Sequence, residues 1–385
     1  MRKFILIPLL IIIMCPLTIL AEEKDNLIPN AKSGLLMEES TGEIIFEKEK
    51  DKQVAVASMT KMMAQILILE NIEKKNIKWT DVVTVSKNAA DMGGSQIYLS
   101  ANEKMTVKDL FKGISMASAN DATVAMAEYI SGSEEKFVKE MNKKAKDLGL
   151  KNTAFKNSTG LDSEGHFSSA YDMAVIAKTL LSHKEILNFS SVYEDYLRVD
   201  TPNKFWLVNT NKLVRTYSGA DGLKTGHTDN AGYCLAVTAK KDNMRLIAIV
   251  LGEETAAVRN KEAAELLDYG FNNKEIKIIK KKTDLVKTIK LKNFTKEKIK
   301  IYPKKDITIL NDKGINKEKY TTKVELNKIS LPINKNATIG KIKVYQNNKI
   351  IKEEKLVTKE KVEKLTYIKL FLSNLKKIPK GIMDN

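Results

Sequence analysis

The sequence predicts an α/β (α+β) domain with an antiparallel sheet flanked by helices, followed by a small all-β sandwich domain and a C-terminal amphipathic helix. Residues 22–273 alternate helical and strand patterns, and hairpins among them indicate antiparallel pairing. Residues 274–358 contain short alternating runs separated by turn residues, which is typical of a β-sandwich. In residues 359–385 apolar side chains recur every three or four positions. A length of 385 residues agrees with more than one domain.

The chain begins with a pattern typical of a secretory signal peptide. Arg2 and Lys3 precede an apolar run over residues 4–20, and Ala21 stands before an acidic cluster. An uncleaved anchor is the alternative, but two prolines in the run and the acidic residues after it favour cleavage. We therefore expect residues 1–21 to be removed and the mature protein to be exported, acting at the outer face of the cytoplasmic membrane, in the cell wall or periplasm.

Two hairpins and a helix are the clearest elements of the first domain. One hairpin joins Gly34–Glu38 to Glu43–Phe46 around a Ser-Thr-Gly turn, and another joins Cys234–Ala239 to Leu246–Leu251 around Asp-Asn. A helix that contains Ala263–Leu267 closes the domain. The strands predicted for the second domain are Ile289–Leu291, Ile299–Tyr302, Ile307–Leu310, Val324–Leu326 and Ile342–Tyr345.

Ser58 and Lys61 form a Ser-x-x-Lys motif in front of a strongly apolar segment. Residues 62–69 contain neither Gly nor Pro and predict a buried helix. Because positions three apart share one face of a helix, the hydroxyl and the amine should meet at the first turn. A serine hydroxyl needs a base before it is a good nucleophile, and Lys61 can be that base only when uncharged. Desolvation and a nearby second cation both lower the pKa of a lysine in this direction.

Ser118 and Asn120 lie in a stretch of small residues between two helical patterns, 107–114 and 122–130. We expect this stretch to be a loop that forms one wall of a cleft. The hydroxyl of Ser118 could relay a proton to a leaving nitrogen, and the amide of Asn120 could hold a substrate carbonyl or amide.

Lys224, Thr225 and Gly226 precede the strand pattern 232–238 and should lie on or beside a strand at the edge of the same cleft. Lys224 supplies positive charge for a carboxylate, and Thr225 supplies a hydroxyl beside it. Gly226 would let a substrate approach the backbone closely.

The three motifs occur in one order, and the second and third begin 60 and 166 residues after Ser58. Taken singly, each has an ordinary explanation: a helix cap, turn residues, or a loop with a solvated lysine. If these ordinary explanations were correct, three unrelated coincidences would have to occur in the order and the sequence context that a single site requires. We therefore interpret the three motifs as one site with a serine nucleophile.

With these motifs, the chain resembles the penicillin-binding proteins of the D-alanyl-D-alanine carboxypeptidase type, low-molecular-mass serine peptidases related to class A β-lactamases. The resemblance is close over about residues 31–271 and implies a β-lactamase/transpeptidase-like fold for the first domain. The matching stretches are Ala57–Met63, Ser118–Ala122, Asn157–Leu161, Ala170–Ala174 and Asp221–Thr228.

The resemblance implies a role for each motif residue. Ser58 would be the acylated nucleophile and Lys61 its general base, and the backbone N–H groups of Ser58 and His227 would form the oxyanion hole. The remaining residues would bind or position the substrate: Ser118 and Asn120 on the opposite wall, Lys224 and Thr225 at the terminal carboxylate, and Gly226 between strand and substrate.

The activity that follows from the resemblance is removal of the terminal D-alanine from peptidoglycan stem peptides through an acyl-enzyme on Ser58, with β-lactam antibiotics as inhibitors that acylate the same serine. No cofactor is needed. A class A β-lactamase or an endopeptidase on the same fold is one rival, but the middle motif has Ala119 where the β-lactamase form has Asp. A wall-binding protein that has lost turnover is the second rival, and the intact motifs argue against it.

Charge is distributed unevenly along the chain. Residues 22–273 hold 32 Lys+Arg against 36 Asp+Glu, whereas residues 274–358 hold 24 against 9 and residues 359–385 hold 7 against 3. The positive excess therefore lies outside the first domain, where it could face anionic lipid or wall polymer. A lysine bias on solvated strand faces explains the excess equally well. Nucleic acid is an implausible partner for an exported chain with this site.

The C-terminal segment has an apolar side and a basic side, the pattern of a helix that lies in a membrane interface. It is too short and too charged to span a bilayer. We expect it to bind an anionic membrane surface, and packing against the β-domain is the alternative. Its apolar positions are Val362, Leu365, Ile368, Leu372, Leu375 and Ile378.

Histidine and cysteine usage points to no metal. The sequence contains three His, and they form neither a His-Glu-x-x-His motif nor any spacing typical of zinc ligands. The Gly-x-Ser-x-Gly elbow that a Ser-His-Asp hydrolase would need is also absent from the sequence. His227 is expected to contribute its backbone and line the cleft rather than act as a base, and the role of His166 is open. Cys15 lies in the leader, so Cys234 would be the sole cysteine of the mature chain, and its strand pattern indicates a packing role.

Overall fold

A computed structural model describes residues 27–290, 295, 298–314, 319–328, 332–363 and 368. The expected signal peptide, residues 1–21, lies outside this part of the chain. So does the expected C-terminal helix apart from residues 359–363 and 368. None of the helices in the described part is long and apolar enough to cross a bilayer.

The first part of the chain contains nine strands and nine α-helices among its described residues. The strands are β1 (Ser33–Glu38), β2 (Ile44–Lys48), β3 (Val82–Thr84), β4 (Lys104–Thr106), β5 (Glu194–Leu197), β6 (Phe205–Val208), β7 (Ala220–Thr228), β8 (Gly232–Lys241) and β9 (Met244–Glu253). The helices are α1 (Lys61–Glu73), α2 (Lys87–Ala90), α3 (Val107–Met116), α4 (Asn120–Ser131), α5 (Glu134–Asp147), α6 (Ala170–Ser182), α7 (Leu187–Ser190), α8 (Leu213–Thr216) and α9 (Ala256–Asn273). Two short 3-10 helices cover Ala57–Thr60 and Lys184–Ile186.

The central sheet is antiparallel, with the strand order β2-β1-β9-β8-β7. Strand β9 is buried along its whole length, and its side chains alternate between two cores because successive residues of a strand point to opposite faces. Ile247 and Ile249 pack in the core that contains α1 and α6, and Leu246 and Ala248 pack in the core that contains α9. The predicted antiparallel sheet flanked by helices is therefore confirmed.

Both predicted hairpins form, as β1 with β2 and as β8 with β9, and each strand extends slightly beyond its prediction. The small hairpins β3–β4 and β5–β6 were not predicted. Helix α1 is buried on all sides from Lys61 to Leu69, as expected for a segment without a polar face.

The second part of the chain is all-β, as predicted. Its strands are β10 (Lys274–Lys280), β11 (Lys287–Lys290), β12 (Lys298–Pro303), β13 (Ile307–Asp312), β14 (Tyr320–Leu326), β15 (Thr338–Gln346) and β16 (Lys349–Thr358). They form a two-stranded sheet, β10-β13, and a five-stranded sheet, β11-β12-β16-β15-β14. Buried residues such as Ile301, Ile342 and Leu356 belong to one core shared by these strands.

Strands β10 and β16 were not among the predicted elements. Strand β10 follows α9 without an intervening loop, so its start carries no turn signal. Strand β16 pairs with β15 across a turn at Asn347 and Asn348, both of which have positive φ. Asparagine tolerates this left-handed conformation better than most residues.

A buried pair of carboxyl groups joins β9 to α9. Glu253 and Glu262 are 1% and 2% exposed, and Glu262 Oε1 accepts hydrogen bonds from the backbone N–H and the side-chain amide of Asn30 at 3.2 and 2.6 Å. Burial raises the pKa of Glu253 to about 8, reinforced by a hydrogen bond to Glu262 and by its charge, while Lys48 acts in the opposite direction. The pair therefore holds a proton in the folded protein at neutral pH.

Replacing Glu253 by Gln should remove a pH-dependent part of the free energy of unfolding. The pKa of Glu253 is about 8 when folded and near its ordinary value of 4.5 when unfolded, so the folded state binds the extra proton between these limits. Stability of the wild type should thus fall as pH rises above 4.5, by at most about 1.4 kcal/mol per pH unit from this group, because the folded state loses the extra proton. Urea unfolding at several pH values would measure the slope.

The matched control is Glu254→Gln, which removes a titratable carboxyl group from an exposed neighbour. Glu254→Gln should keep the wild-type slope, and Glu253→Gln should flatten it. Equal slopes for the wild type and Glu253→Gln would show that Glu253 does not hold the proton.

Candidate active site

Ser58 lies in the 3-10 helix Ala57–Thr60, directly before Lys61 begins α1. The Nζ atom of Lys61 is 2.9 Å from Oγ of Ser58, and it donates a second hydrogen bond of 2.7 Å to the carbonyl of Thr159. Ser58 is half-buried, whereas Lys61 is completely buried. The structure therefore brings the hydroxyl and the amine together at the spacing that the motif predicts, in a 3-10 turn rather than in α1 itself.

The surroundings of Lys61 favour an uncharged amine. Burial holds the pKa of Lys61 well below its ordinary value, and the positive charge of Lys224 lowers it further, while the carboxylate of Asp121 partly opposes both effects. A neutral amine that touches a hydroxyl can accept its proton, which is the task of a general base. The geometry and the electrostatics thus point to the same role.

The turn at residues 157–160 supplies the carbonyl that orients Lys61. The side-chain oxygen of Asn157 accepts hydrogen bonds from the backbone N–H of Thr159 and of Gly160, at 3.2 and 2.7 Å. Gly160 has a φ of +86°, and a Cβ at this position would stand 1.9 Å from the carbonyl oxygen of Ala57. Glycine is therefore required for this turn to reach the nucleophile. In the sequence, this segment was recognised only as a stretch that matches the family, although Asn-x-x-Gly is itself a turn signal.

We expect Ser118 and Asn120 to form the opposite wall, and they lie next to Asp121, whose carboxylate acts on the pKa of Lys61. Ser118 has a φ of +64° and is 4% exposed, and its Oγ has no hydrogen-bond partner in the described protein. Asn120 donates from Nδ2 to the carbonyl of Gly93 at 2.7 Å, while its Oδ1 is likewise unpartnered within the described residues. Asn120 is the first residue of α4, so the expected loop is shorter than predicted and ends at Ala119. Buried polar atoms of this kind are suited to contact a substrate.

Asp121 holds this part of the chain in place, a role that its position in the sequence did not predict. Its buried carboxylate accepts hydrogen bonds from the backbone N–H groups of Ile97 and Leu99, at 3.0 to 3.2 Å. These bonds fix the segment that carries Gly93 against the start of α4. An Asp inside a helix pattern gives no sequence signal for such a partner.

Strand β7 forms the third side of the cleft and presents Lys224 and Thr225. Lys224 is 1% exposed, and its Nζ donates to the carbonyl of Thr225 at 3.0 Å. Burial lowers the pKa of Lys224 to about 7, and the positive charge of Arg259 adds to the effect. Thr225 donates a 2.8 Å hydrogen bond to the hydroxyl of Thr210. The result is a group of cationic and hydroxyl side chains at one end of the cleft.

Gly226 is required for close packing inside the protein, and the predicted approach of a substrate to its backbone stays a prediction. A Cβ on Gly226 would lie 2.6 Å from the carbonyl oxygen of Val56 and 3.2 Å from the backbone nitrogen of Met59. The missing side chain therefore lets β7 pack against the turn that carries Ser58.

His227 follows on the same strand and is exposed. Its imidazole stacks on the ring of Tyr233 in β8, with the ring centroids 4.0 Å apart. The expected place of this ring at the cleft stays a prediction.

Arg259 is a residue of this site that the sequence analysis missed. It lies in α9, is 5% exposed, and is one of the two causes that lower the pKa of Lys224. Its guanidinium carbon is 6.0 Å from the centroid of the Tyr233 ring. Nothing in the sequence pattern of α9 distinguishes this arginine, because its position depends on how α9 packs on the sheet.

His166 has a positioning role beside the nucleophile. Its Nδ1 accepts a 3.2 Å hydrogen bond from the backbone N–H of Lys156, so Nε2 carries the ring proton and donates to Oγ1 of Thr60 at 2.8 Å. Burial lowers the pKa of His166 to about 4, which keeps the ring neutral at physiological pH. The imidazole thereby ties the turn between Ser58 and Lys61 to the loop after α5.

Comparison with known proteins agrees with this geometry. Residues 21–255 match the family model "D-alanyl-D-alanine carboxypeptidase", and residues 274–364 match "Penicillin-binding protein 5, C-terminal domain". The D-alanyl-D-alanine carboxypeptidase DacF of Bacillus subtilis is 48% identical over 345 residues, which are 89% of this chain and 88% of the relative.

Solved structures of penicillin-binding proteins are also similar to this chain. Penicillin-binding protein 5 from Haemophilus influenzae is 32% identical with a TM-score of 0.71, and the match covers 87% of this chain and 98% of that one. Penicillin-binding protein D2 from Listeria monocytogenes, solved in an ampicillin-bound form, is 32% identical with a TM-score of 0.57 over 63% of this chain and 98% of that one.

Substituting Gly160 by Ala should disable the site. The added methyl would meet the carbonyl of Ala57, and the positive φ would cost about 1–3 kcal/mol for a residue with a side chain. Because displacements near 1 Å can reduce rates about 10²-fold, we expect acylation by a fluorescent penicillin to slow by at least that factor.

Gly149→Ala is the control, since Gly149 has a φ of +74° but open space where the Cβ would be. It should lose only the part of the stability that the positive φ costs, and it should keep its acylation rate. Normal acylation of Gly160→Ala would refute the requirement for glycine.

Proposed function

The chain belongs to the D-alanyl-D-alanine carboxypeptidase family of low-molecular-mass penicillin-binding proteins, and from this we propose that Ser58 is its nucleophile and Lys61 its general base. The protein is a serine peptidase that removes the terminal D-alanine from peptidoglycan stem peptides. The observation that carries the assignment is the 2.9 Å contact between Oγ of Ser58 and the completely buried amine of Lys61.

Acylation follows from this contact. The neutral amine of Lys61 takes the proton of Ser58, and Oγ attacks the carbonyl carbon of the amide between the two D-alanines. The carbonyl oxygen becomes an oxyanion, for which we propose the backbone N–H groups of Ser58 and His227 as donors. Ser118, whose hydroxyl is buried and unpartnered in the described protein, would pass a proton to the leaving nitrogen. Water then hydrolyses the ester and releases the shortened peptide.

The cationic end of the cleft would bind the carboxylate of the terminal D-alanine. Lys224 and Arg259 supply positive charge, and Thr225 supplies a hydroxyl held by Thr210. A bound carboxylate would favour the charged form of Lys224, whose pKa is only about 7 without it. Asn120 would bind the peptide from the opposite wall. Gly226 would keep β7 close to Ser58, so that the carboxylate and the scissile carbonyl of the substrate can be bound at the same time.

β-Lactam antibiotics should acylate the same serine. They present a strained amide and a carboxylate in similar relative positions, so Ser58 and Lys224 can engage both groups. The ampicillin-bound form of the Listeria relative supports this proposal.

The proposal is tested by assaying release of D-alanine from a pentapeptide ending in D-Ala-D-Ala. Ser58→Ala should abolish both this release and labelling by fluorescent penicillin, because no nucleophile remains. Lys61→Met keeps an apolar side chain in the buried site but removes the base, so we expect at least about a 10³-fold loss of acylation rate.

Lys74→Met, an exposed lysine just after α1, is the control and should retain wild-type rates. If Ser58→Ala were still labelled, or if Lys61→Met retained release within tenfold of wild type, the assigned roles would be wrong.

We further propose that residues 1–21 are a removed leader, that 22–273 form the catalytic domain and 274–358 the β-sandwich, and that 359–385 bind the outer face of the membrane. The start of β10 at Lys274, immediately after α9, supports the boundary between the two domains. The basic and apolar sides of the C-terminal segment support a peripheral membrane contact, with anionic lipid as the partner.

Sedimentation with vesicles tests the membrane contact. The protein comprising residues 22–385 should bind vesicles that contain anionic lipid, and binding should weaken in high salt. A variant with Leu372→Asp and Leu375→Asp should lose binding while keeping D-alanine release. Equal binding of this variant and the wild type would exclude the helix as the anchor.

A further inference from the structure

Arg259 is a buried cation that no carboxylate of the described protein neutralises. Its side chain is 5% exposed, and unlike Arg198 and Arg245 it has no carboxylate oxygen within 4.0 Å among the described residues. It also lies in the first turn of α9, where the positive end of the helix dipole disfavours a cation. A buried charge without a partner is costly. The position of this guanidinium therefore indicates that an anionic ligand completes its surroundings.

The side chain of Asn260 holds this guanidinium along one edge. Oδ1 of Asn260 accepts two hydrogen bonds, from Nε of Arg259 at 3.1 Å and from Nη2 at 2.9 Å. The other hydrogen bond of Arg259 within the described residues runs from Nη1 to the carbonyl of Cys234 at 3.5 Å. An amide oxygen accepts such bonds without adding the negative charge that would neutralise the cation. Asn260 therefore fixes the guanidinium and leaves its charge for a ligand.

Two N–H groups of Arg259 remain without an acceptor in the described part of the chain. An arginine side chain has five N–H groups. Asn260 accepts one from Nε and one from Nη2, and Cys234 accepts one from Nη1. One N–H therefore remains on each terminal nitrogen, and bidentate binding of a carboxylate requires such a pair.

The contacts of this guanidinium place it beside the third motif. Its positive charge acts on Lys224, whose pKa is lowered to about 7 mainly by burial. The backbone of Cys234, which it contacts, is paired with Gly226 across β7 and β8. Its central carbon is 6.0 Å from the centroid of the Tyr233 ring. The guanidinium thus lies next to the residues that we propose for binding the terminal carboxylate.

We propose that Asn260 is a positioning residue, which orients Arg259 so that its two remaining N–H groups bind the terminal carboxylate of the substrate. The inference deepens the proposed function, on which it rests, by naming a residue that makes the enzyme select peptides with a free C-terminus. An apolar side chain at position 260 would leave the guanidinium free to rotate. Binding of a carboxylate would then also have to order the guanidinium, which weakens binding.

Two peptides that differ only in the terminal charge test this role: Nα,Nε-diacetyl-L-Lys-D-Ala-D-Ala and the same peptide with a C-terminal amide. Asn260→Leu should lower kcat/KM for the free acid by about tenfold, the size expected for a hydrogen bond to a charged group. For the amide, kcat/KM should be nearly unchanged, because a neutral terminus forms no ion pair with Arg259. A residue that only stabilised the fold would affect both peptides equally.

A double-mutant cycle shows whether Asn260 acts through Arg259. Arg259→Met should lower kcat/KM for the free acid at least as much as Asn260→Leu does. The variant with both substitutions should behave like Arg259→Met alone, because no guanidinium is left to orient. Asn272→Leu, which changes an exposed asparagine at the other end of α9, is the matched control and should keep wild-type values.

A second variant keeps the shape of the side chain at position 260. Asn260→Asp retains an acceptor for Nε and Nη2 of Arg259 but pairs the cation with a negative charge. It should therefore lower kcat/KM for the free acid and spare the amide, even if Asn260→Leu does not fold. Thermal unfolding of each variant checks that it is folded.

The outcomes separate the two proposals. Equal losses on the acid and the amide, additive losses in the cycle, or a wild-type preference for the acid in Asn260→Leu or Asn260→Asp would each overturn the positioning role. The carboxypeptidase activity would stand in all these cases. Release from neither peptide by the wild type would overturn the proposed function itself, and the role of Asn260 with it.

Discussion

Burial of the Lys61 amine is the constraint on which the rest of the site depends. An ammonium ion without solvent is costly, so the folded protein favours the neutral amine, and only the neutral amine can take a proton from Ser58. Helix α1 supplies the burial because it is apolar on every side. The positive charge of Lys224 lowers the pKa of Lys61 further, so one residue would both bind the substrate and keep the base uncharged.

Much of this arrangement could be predicted from the sequence, because the reacting pair is local. Ser58 and Lys61 are three residues apart, and the apolar segment after them already implies a buried helix. The hairpins of the central sheet and most strands of the second domain were also predictable, since each has its own alternation and turn residues. Their pairing order was not, because it depends on contacts between distant segments.

The residues that sequence reasoning missed are those whose role depends on tertiary packing. Arg259 reaches the site only because α9 packs across β8. Asp121 has a structural role only because the segment with Ile97 and Leu99 packs against the start of α4. Gly226 was identified, but its close approach to Val56, in another part of the chain, could not be predicted.

The turn that carries Ser58 is completed by chain segments remote from it in sequence. Thr159 accepts the hydrogen bond of Lys61 from about one hundred residues away, and Gly226 packs against the same turn from farther still. Such a site has no activity in any intermediate that lacks these contacts, because an isolated α1 would leave its lysine hydrated and charged. Covalent labelling by a fluorescent penicillin should therefore measure what fraction of newly made chain has reached its native tertiary structure. Circular dichroism, which reports the helices alone, could not distinguish this fraction.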